Sequence, residues 1–332
     1  MEAAHRVDLD VAGHPTPVWV HPGRSEGRPV LLIHGFRGDH HGLDRIAHAM
    51  RDREVLVPDL PGFGENPPLA GGLSLEGYLD HLEALIAEAD RTWGARPILV
   101  GHSFGSILVS HLAARNPEAM PELGLINPIT SPALEGSAKV LTGLTRVYYA
   151  LGARLPEKAG RSLLGHPLIV RLMSEVMATT HDRGLRRYIH DQHAKYFSTF
   201  SDRRSLAEAF DVSVAHTVTE VAGSLTMPLL VIAGDRDAIA PIEVTRSVVD
   251  GLVDVRFVEL SGVGHLVHYE RPDAAASAIE DFSAERDRPR RGQATARSGR
   301  VGQCRSSTGC RCGTECRFRT GGRQSSGRAS AG

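Results

Sequence analysis

Ser103 stands in Gly101-His102-Ser103-Phe104-Gly105, directly after the apolar run Ile98-Leu99-Val100 and just before a helix-compatible run over residues 107–114. A strand, a sharp turn with serine at its tip and a helix make the context a nucleophile elbow requires. Gly101 and Gly105 lack a Cβ, so the chain can turn straight from strand to helix while Ser103 takes a strained backbone position. A serine hydroxyl is a weak nucleophile at neutral pH and needs an adjacent base, itself held by a third group. Downstream, the apolar run 229–233 ends in Gly234-Asp235-Arg236-Asp237, and the run Val255–Leu260 ends in Ser261-Gly262-Val263-Gly264-His265. Serine, two candidate acids and a histidine thus each follow the C-terminal end of a predicted strand. That edge is where open parallel sheets bind ligands.

The elements that must position these groups alternate along the chain. Residues 6–9 and 17–21 read as a strand pair, and Val30–Ile33 and residues 55–57 as strands buried on both faces. Helices are expected over residues 41–51 and 74–89, the latter capped by Ser74. After the elbow strand and its helix comes a strand at residues 123–128. From 129 to 225 the pattern turns helical, with segments at 137–155, 167–177, 182–200 and 206–222 separated at Pro156, Gly160, Gly165-His166-Pro167 and Ser201-Asp202. Leu144, Val147, Tyr148 and Leu151 form an apolar stripe suited to packing inward or to lining a pocket. Strand–helix alternation then resumes, with a last helix over 272–282. The expected fold class is α/β: a mostly parallel, doubly wound sheet with helices on both faces. Its core comprises residues 1–128 and 226–283, and residues 129–225 form an all-helical lid.

Composition sets further bounds. With 332 residues, 41% hydrophobic and 23% charged, the chain has the makeup of a globular protein. It has no apolar run of membrane-spanning length and no signal-peptide pattern at the N-terminus. The formal net charge of −1 hides an asymmetry: residues 284–332 carry +9 and the remainder −10. That tail is rich in Arg, Gly, Ser and Thr and is expected to be disordered. It holds all four cysteines, Cys304, Cys310, Cys312 and Cys316, whose spacing lacks the paired knuckles of common zinc sites. A cysteine-free body accords with a cytoplasmic location. Only the tail suits nucleic acid or an anionic surface. No cofactor, metal, membrane or nucleic-acid partner is expected, and the oligomeric state is left open. In the helical region His190 and His193 lie three apart with His181 nearby, a spacing that does not make a His-x-x-x-His metal pair.

Across roughly residues 30–282 the chain resembles the α/β-hydrolase superfamily. Five segments match in order: His34-Gly35-Phe36, Asp59-Leu60-Pro61-Gly62-Phe63-Gly64, the elbow, Gly234-Asp235-Arg236-Asp237 with Pro241, and Gly264-His265. The resemblance implies Ser103 as nucleophile, His265 as base and Asp237, in preference to Asp235, as the acid that orients it. It also implies an oxyanion hole formed by the backbone N–H groups of Phe36 and Phe104. Asp235 is then a turn residue, Asp59 braces its loop, and His34 and His102 make structural hydrogen bonds. The implied activity is that of a lid-containing serine hydrolase, cleaving an ester-like bond of a small to medium, partly hydrophobic substrate through an acyl-enzyme. On the same triad some members hydrolyse carbon–carbon bonds or act as lyases, and others have become small-molecule receptors without turnover.

Overall fold

The computed structural model describes residues 3–24, 27–131 and 139–287. In order along the chain, eight strands form one sheet: β1 (His5–Val11), β2 (His14–His21), β3 (Val30–Ile33), β4 (Val55–Pro58), β5 (Ile98–His102), β6 (Leu123–Ile126), β7 (Leu229–Gly234) and β8 (Val255–Leu260). Their spatial order is β1-β2-β4-β3-β5-β6-β7-β8. β1 and β2 pair antiparallel, as do β2 and β4, and every later pair is parallel. Helices α1 (His40–Ala49), α2 (Leu75–Trp93) and α3 (Phe104–Arg115) fall among the first six strands. Between β6 and β7 lie α4 (Lys139–Arg154), α5 (Glu157–Leu164), α6 (Pro167–Met177), α7 (Arg183–Tyr196) and α8 (Arg203–Ala215). Helices α9 (Ile242–Val249), α10 (Val267–Glu270) and α11 (Pro272–Asp287) complete the fold.

Strand alternation divides the core in two. Leu31, Ile33, Leu56, Leu99 and Val231 pack into one layer with residues of α2 and α3; Val30, Leu32, Val55, Val100 and Ile232 enter the other with residues of α1 and α11. Successive side chains of a strand point to opposite faces, so a run apolar at every position commits the sheet to a helical cover on both sides. This is the expected fold class. Local signals act where they were read: Ser74 accepts a hydrogen bond from the Gly77 amide at the start of α2, and Gly94 closes that helix in the left-handed region.

Three departures from the sequence reading have clear causes. Helix α5 occupies a stretch where Pro156 and Gly160 signal breaks. Pro156 stands at its N-cap, where a missing N–H costs nothing, and Gly160 packs so tightly that a Cβ would sit 2.2 Å from the Gly152 carbonyl oxygen of α4. Leu144, Val147 and Leu151 face outward, 64%, 55% and 50% exposed. Of that stripe Tyr148 is half-buried and packs against the core, and beside it Tyr149, outside the stripe, is buried and stacked on Phe210 at 4.3 Å. Finally, α11 runs on to Asp287, beyond the boundary expected at residue 283, held by Arg53 and Arg28 on Asp287 and by Arg286 on Asp254. The rest of the expected tail, with its cysteines, lies outside the described residues.

Candidate active site

The sheet's strand order reverses at β3, with β4 on one side and β5 on the other, and a crevice opens above the carboxyl ends of β3 and β5. The elbow sits there. Ser103 has φ 52° and ψ −117°, a region that only surrounding structure holds a non-glycine residue in. Its amide donates to the Ile126 carbonyl at 3.0 Å, extending the β5–β6 ladder by one rung. A Cβ at Gly101 would meet the Gly105 carbonyl at 2.4 Å, and one at Gly105 would meet the Ile33 carbonyl at the same distance. Both glycines therefore let backbone pass backbone where the strand becomes helix.

His265 lies in the loop after β8 with Nε2 2.7 Å from Ser103 Oγ and Nδ1 2.7 Å from Asp237 Oδ2. The structure thus joins the three residues into one chain of hydrogen bonds. Asp237 is buried, and burial alone opposes its charge. His265, through its charge and its hydrogen bond, together with the amides of Ala240 and Ile239, overcomes that cost and holds the carboxyl below its ordinary pKa. Asp235 faces elsewhere: its oxygens accept from the Gly262 amide and Ser261 hydroxyl, tying the β7 and β8 loops together.

Asn127 escaped the sequence reading. It follows β6 at φ 46°, fully buried, and its Nδ2 donates to Asp237 Oδ2 at 2.9 Å. The available signal was an amide side chain ending a wholly apolar strand on the same rim, just before Pro128.

His34 makes structural contacts that bear on the site. Its Nδ1 donates to the Gly35 carbonyl at 2.8 Å while Nε2 accepts from the Leu60 amide at 2.8 Å, and the Gly38 amide also reaches the Gly35 carbonyl. With that carbonyl held on one side of a planar peptide, the Phe36 N–H points to the other. No hydrogen bond among the described residues engages the N–H of Phe36 or of Phe104, and the latter opens α3, where the helix dipole favours negative charge. His102 is kept neutral by burial and by the neighbouring His265, which lower its pKa to about 3, and its Nε2 lies 3.3 Å from the His265 carbonyl. Asp59 braces its loop, accepting from the amides of His40 and Glu65. The Nδ1 atoms of His190 and His193 both contact Ser174 Oγ, at 2.6 and 2.8 Å.

A cavity of about 330 Å³ reaches Ser103 and His265. Phe36, Phe104 and Leu266 line it from the sheet side, and Met173, Met177 and Phe210 from the helices between β6 and β7. Arg37, unmarked by any motif, is buried at φ 60° beside it. Its guanidinium donates to the carbonyls of Phe197 and Leu164, each at 2.9 Å, and to the Tyr149 hydroxyl at 3.3 Å. A nucleophile touching an imidazole, an imidazole touching a buried carboxylate and two unengaged N–H groups nearby are the parts that acyl transfer needs.

Residues 28–272 match the family described as alpha/beta hydrolase fold. The chain is 26% identical over 262 residues to the biotin biosynthesis bifunctional protein BioHC of Cellvibrio japonicus (strain Ueda107), covering 77% of this chain and 47% of that protein. It therefore spans about half the length of this curated relative. Lipase 3 of Moraxella sp. (strain TA144) is 22% identical over 291 residues, 84% of each chain. A solved thermophilic esterase from Thermogutta terrifontis superposes with a TM-score of 0.64 at 21% identity, covering 86% of this chain and 99% of that one. On its sheet order, its strand-end loops and the match over residues 28–272, the chain belongs to the α/β-hydrolase fold family.

Proposed function

We propose that the protein is a serine hydrolase that cleaves carboxylic-ester-like bonds through an acyl-enzyme. The hydrogen-bonded chain from Ser103 through His265 to Asp237, 2.7 Å at each contact, carries this reading. Ser103 attacks the acyl carbonyl as His265 Nε2 takes its proton, and Asp237 holds the imidazole tautomer and stabilises the imidazolium. The N–H groups of Phe36 and Phe104 receive the oxyanion. His265 then returns the proton to the leaving alcohol, and water repeats the sequence to release the acid.

The helices between β6 and β7 act as a lid, since Met173, Met177 and Phe210 line the same cavity as Ser103. The cavity's size and apolar walls suit a small to medium, partly hydrophobic substrate. Similarity to Lipase 3 supports the ester reading. A body without cysteines supports a cytoplasmic setting, and no helix among the described residues is long and apolar enough to cross a membrane.

A panel of aryl esters of graded acyl length, with one vinylogous diketone, tests the proposal together with fluorophosphonate labelling. Labelling at Ser103 and ester turnover, lowered about 10⁴-fold or more in Ser103→Ala, are expected. Turnover of the diketone alone would replace the ester reading with carbon–carbon hydrolysis on the same residues. A folded chain that resists the label would replace it with a receptor.

A further inference from the structure

His21 ends β2, and Asp44 and His48 stand four residues apart on α1, where one helical turn presents both on the same face. One ligand atom from each lies within 4.8 Å of the other two. None of the three lines the Ser103 cavity.

His21 is 5% exposed, and its Nε2 has no hydrogen-bond partner. A buried polar nitrogen left bare loses its hydration with nothing in return, so the atom calls for an explanation. Asp44 Oδ1 lies 3.5 Å from it. That spacing exceeds a good N–H···O hydrogen bond but fits two ligands held at about 2.0–2.1 Å from one tetrahedral ion, which stand about 3.4 Å apart. His48 supplies a second mark. Its Nδ1 lies 2.7 Å from the Asp44 carbonyl, which sets the proton on Nδ1 and leaves the lone pair on Nε2. Metal-bound imidazoles are oriented in this way by backbone carbonyls. The rings of His21 and His48 meet edge to face at 81° with centroids 4.7 Å apart.

We propose that His21, Asp44 and His48 bind one divalent transition-metal ion, zinc foremost. Two imidazoles and one carboxylate suit a borderline cation and discriminate against calcium and magnesium, which take oxygen ligands. His48 is exposed, so water completes the coordination. The ion pins β2 to α1. Its role is structural and independent of acyl transfer.

The test uses the full chain with its four tail cysteines alkylated, stripped by a chelator and titrated with zinc against a chromophoric indicator. One zinc per chain and a higher melting temperature are expected. Asp44→Asn and His48→Ala, both at accessible positions, each loosen zinc at least about tenfold and shrink the thermal shift. His111→Ala/His216→Ala, which dismantles a second cluster of similar residues around Glu220, leaves both readouts unchanged. Zinc binding and a thermal shift that persist in folded Asp44→Asn/His48→Ala overturn the proposal, as does loss of both in His111→Ala/His216→Ala.

Discussion

Asp237 is held by more than its histidine. Oδ1 accepts from the amides of Ile239 and Ala240, and Oδ2 takes Asn127 Nδ2 along with His265. Each donor favours the carboxylate over the acid and fixes the plane in which it meets the imidazole. Asn127 does not line the cavity beside Ser103, so under the proposed reaction it acts as a positioning residue. Asn127→Ala is expected to lower kcat about 10–100-fold, the worth of one hydrogen bond to a charged group, with little change in KM. The sign of the pH effect follows. With one donor gone the Asp237 pKa rises toward its ordinary value, so the acid limb that protonation of this carboxylate sets begins at a higher pH. An unmoved limb with normal kcat would remove Asn127 from the site.

At the scale of elements, the helices between β6 and β7 meet the sheet through Arg37. Its guanidinium reaches the ends of two helices, Leu164 of α5 and Phe197 after α7, and the Tyr149 hydroxyl of α4. Helix C-termini carry partial negative charge, so backbone dipoles compensate a buried cation here where a carboxylate usually would. Arg37 adjoins Phe36, so the same residue that anchors the helices shapes the loop of an expected oxyanion donor. Arg37→Met should cost about 3 kcal/mol, read as a lower urea midpoint at unchanged slope, because the Phe197 carbonyl loses its side-chain donor and the Leu164 carbonyl keeps only the Tyr148 hydroxyl. Arg37→Lys should recover little of that loss, since an ammonium cannot match the planar fork. A midpoint shift worth less than about 0.5 kcal/mol of stability, the size of a neutral surface change, would show that the helices are held by other contacts.

Over the whole molecule, burial leaves several histidines neutral. Desolvation, with neighbouring histidine charge adding to it, lowers His81 and His193 to about 4 and His102 to about 3. Unfolded, each titrates near 6.5. The unfolded chain therefore binds more protons below pH 6.5, and stability is expected to fall as pH drops from there toward 4. The slope is about 1.4 kcal/mol per pH unit for each such histidine. Above pH 6.5 the effect is absent. His81 offers a clean probe because its buried Nε2 has no hydrogen-bond partner. His81→Leu should flatten part of the decline in urea midpoints measured from pH 7 to 4, and an unchanged slope would assign the acid sensitivity elsewhere.

What was legible in the sequence was local. Val30–Ile33, Pro167–Met177 and Val255–Leu260 appear as elements with the bounds read from their runs, because apolar periodicity and the flanking Gly, Pro and Ser act within a few residues. Ser103, Asp237 and His265 stood out for a similar reason: each lies a few residues or fewer past the carboxyl end of a strand read from its own run. Between the two acids, spacing alone left Asp235 and Asp237 open, and the family resemblance favoured the one that the structure sets against His265. Tertiary structure alone decided the rest. Asn127 meets Asp237 across 110 residues, Arg37 meets Phe197 across 160, and His265 meets Ser103 across 162. No local pattern encodes such contacts, because their energy exists only once the sheet order has brought distant strand ends together. The same holds for the direction of α4, whose apolar residues occupy two faces: packing against Phe210 chose Tyr149 for the inside and left Leu144, Val147 and Leu151 in solvent.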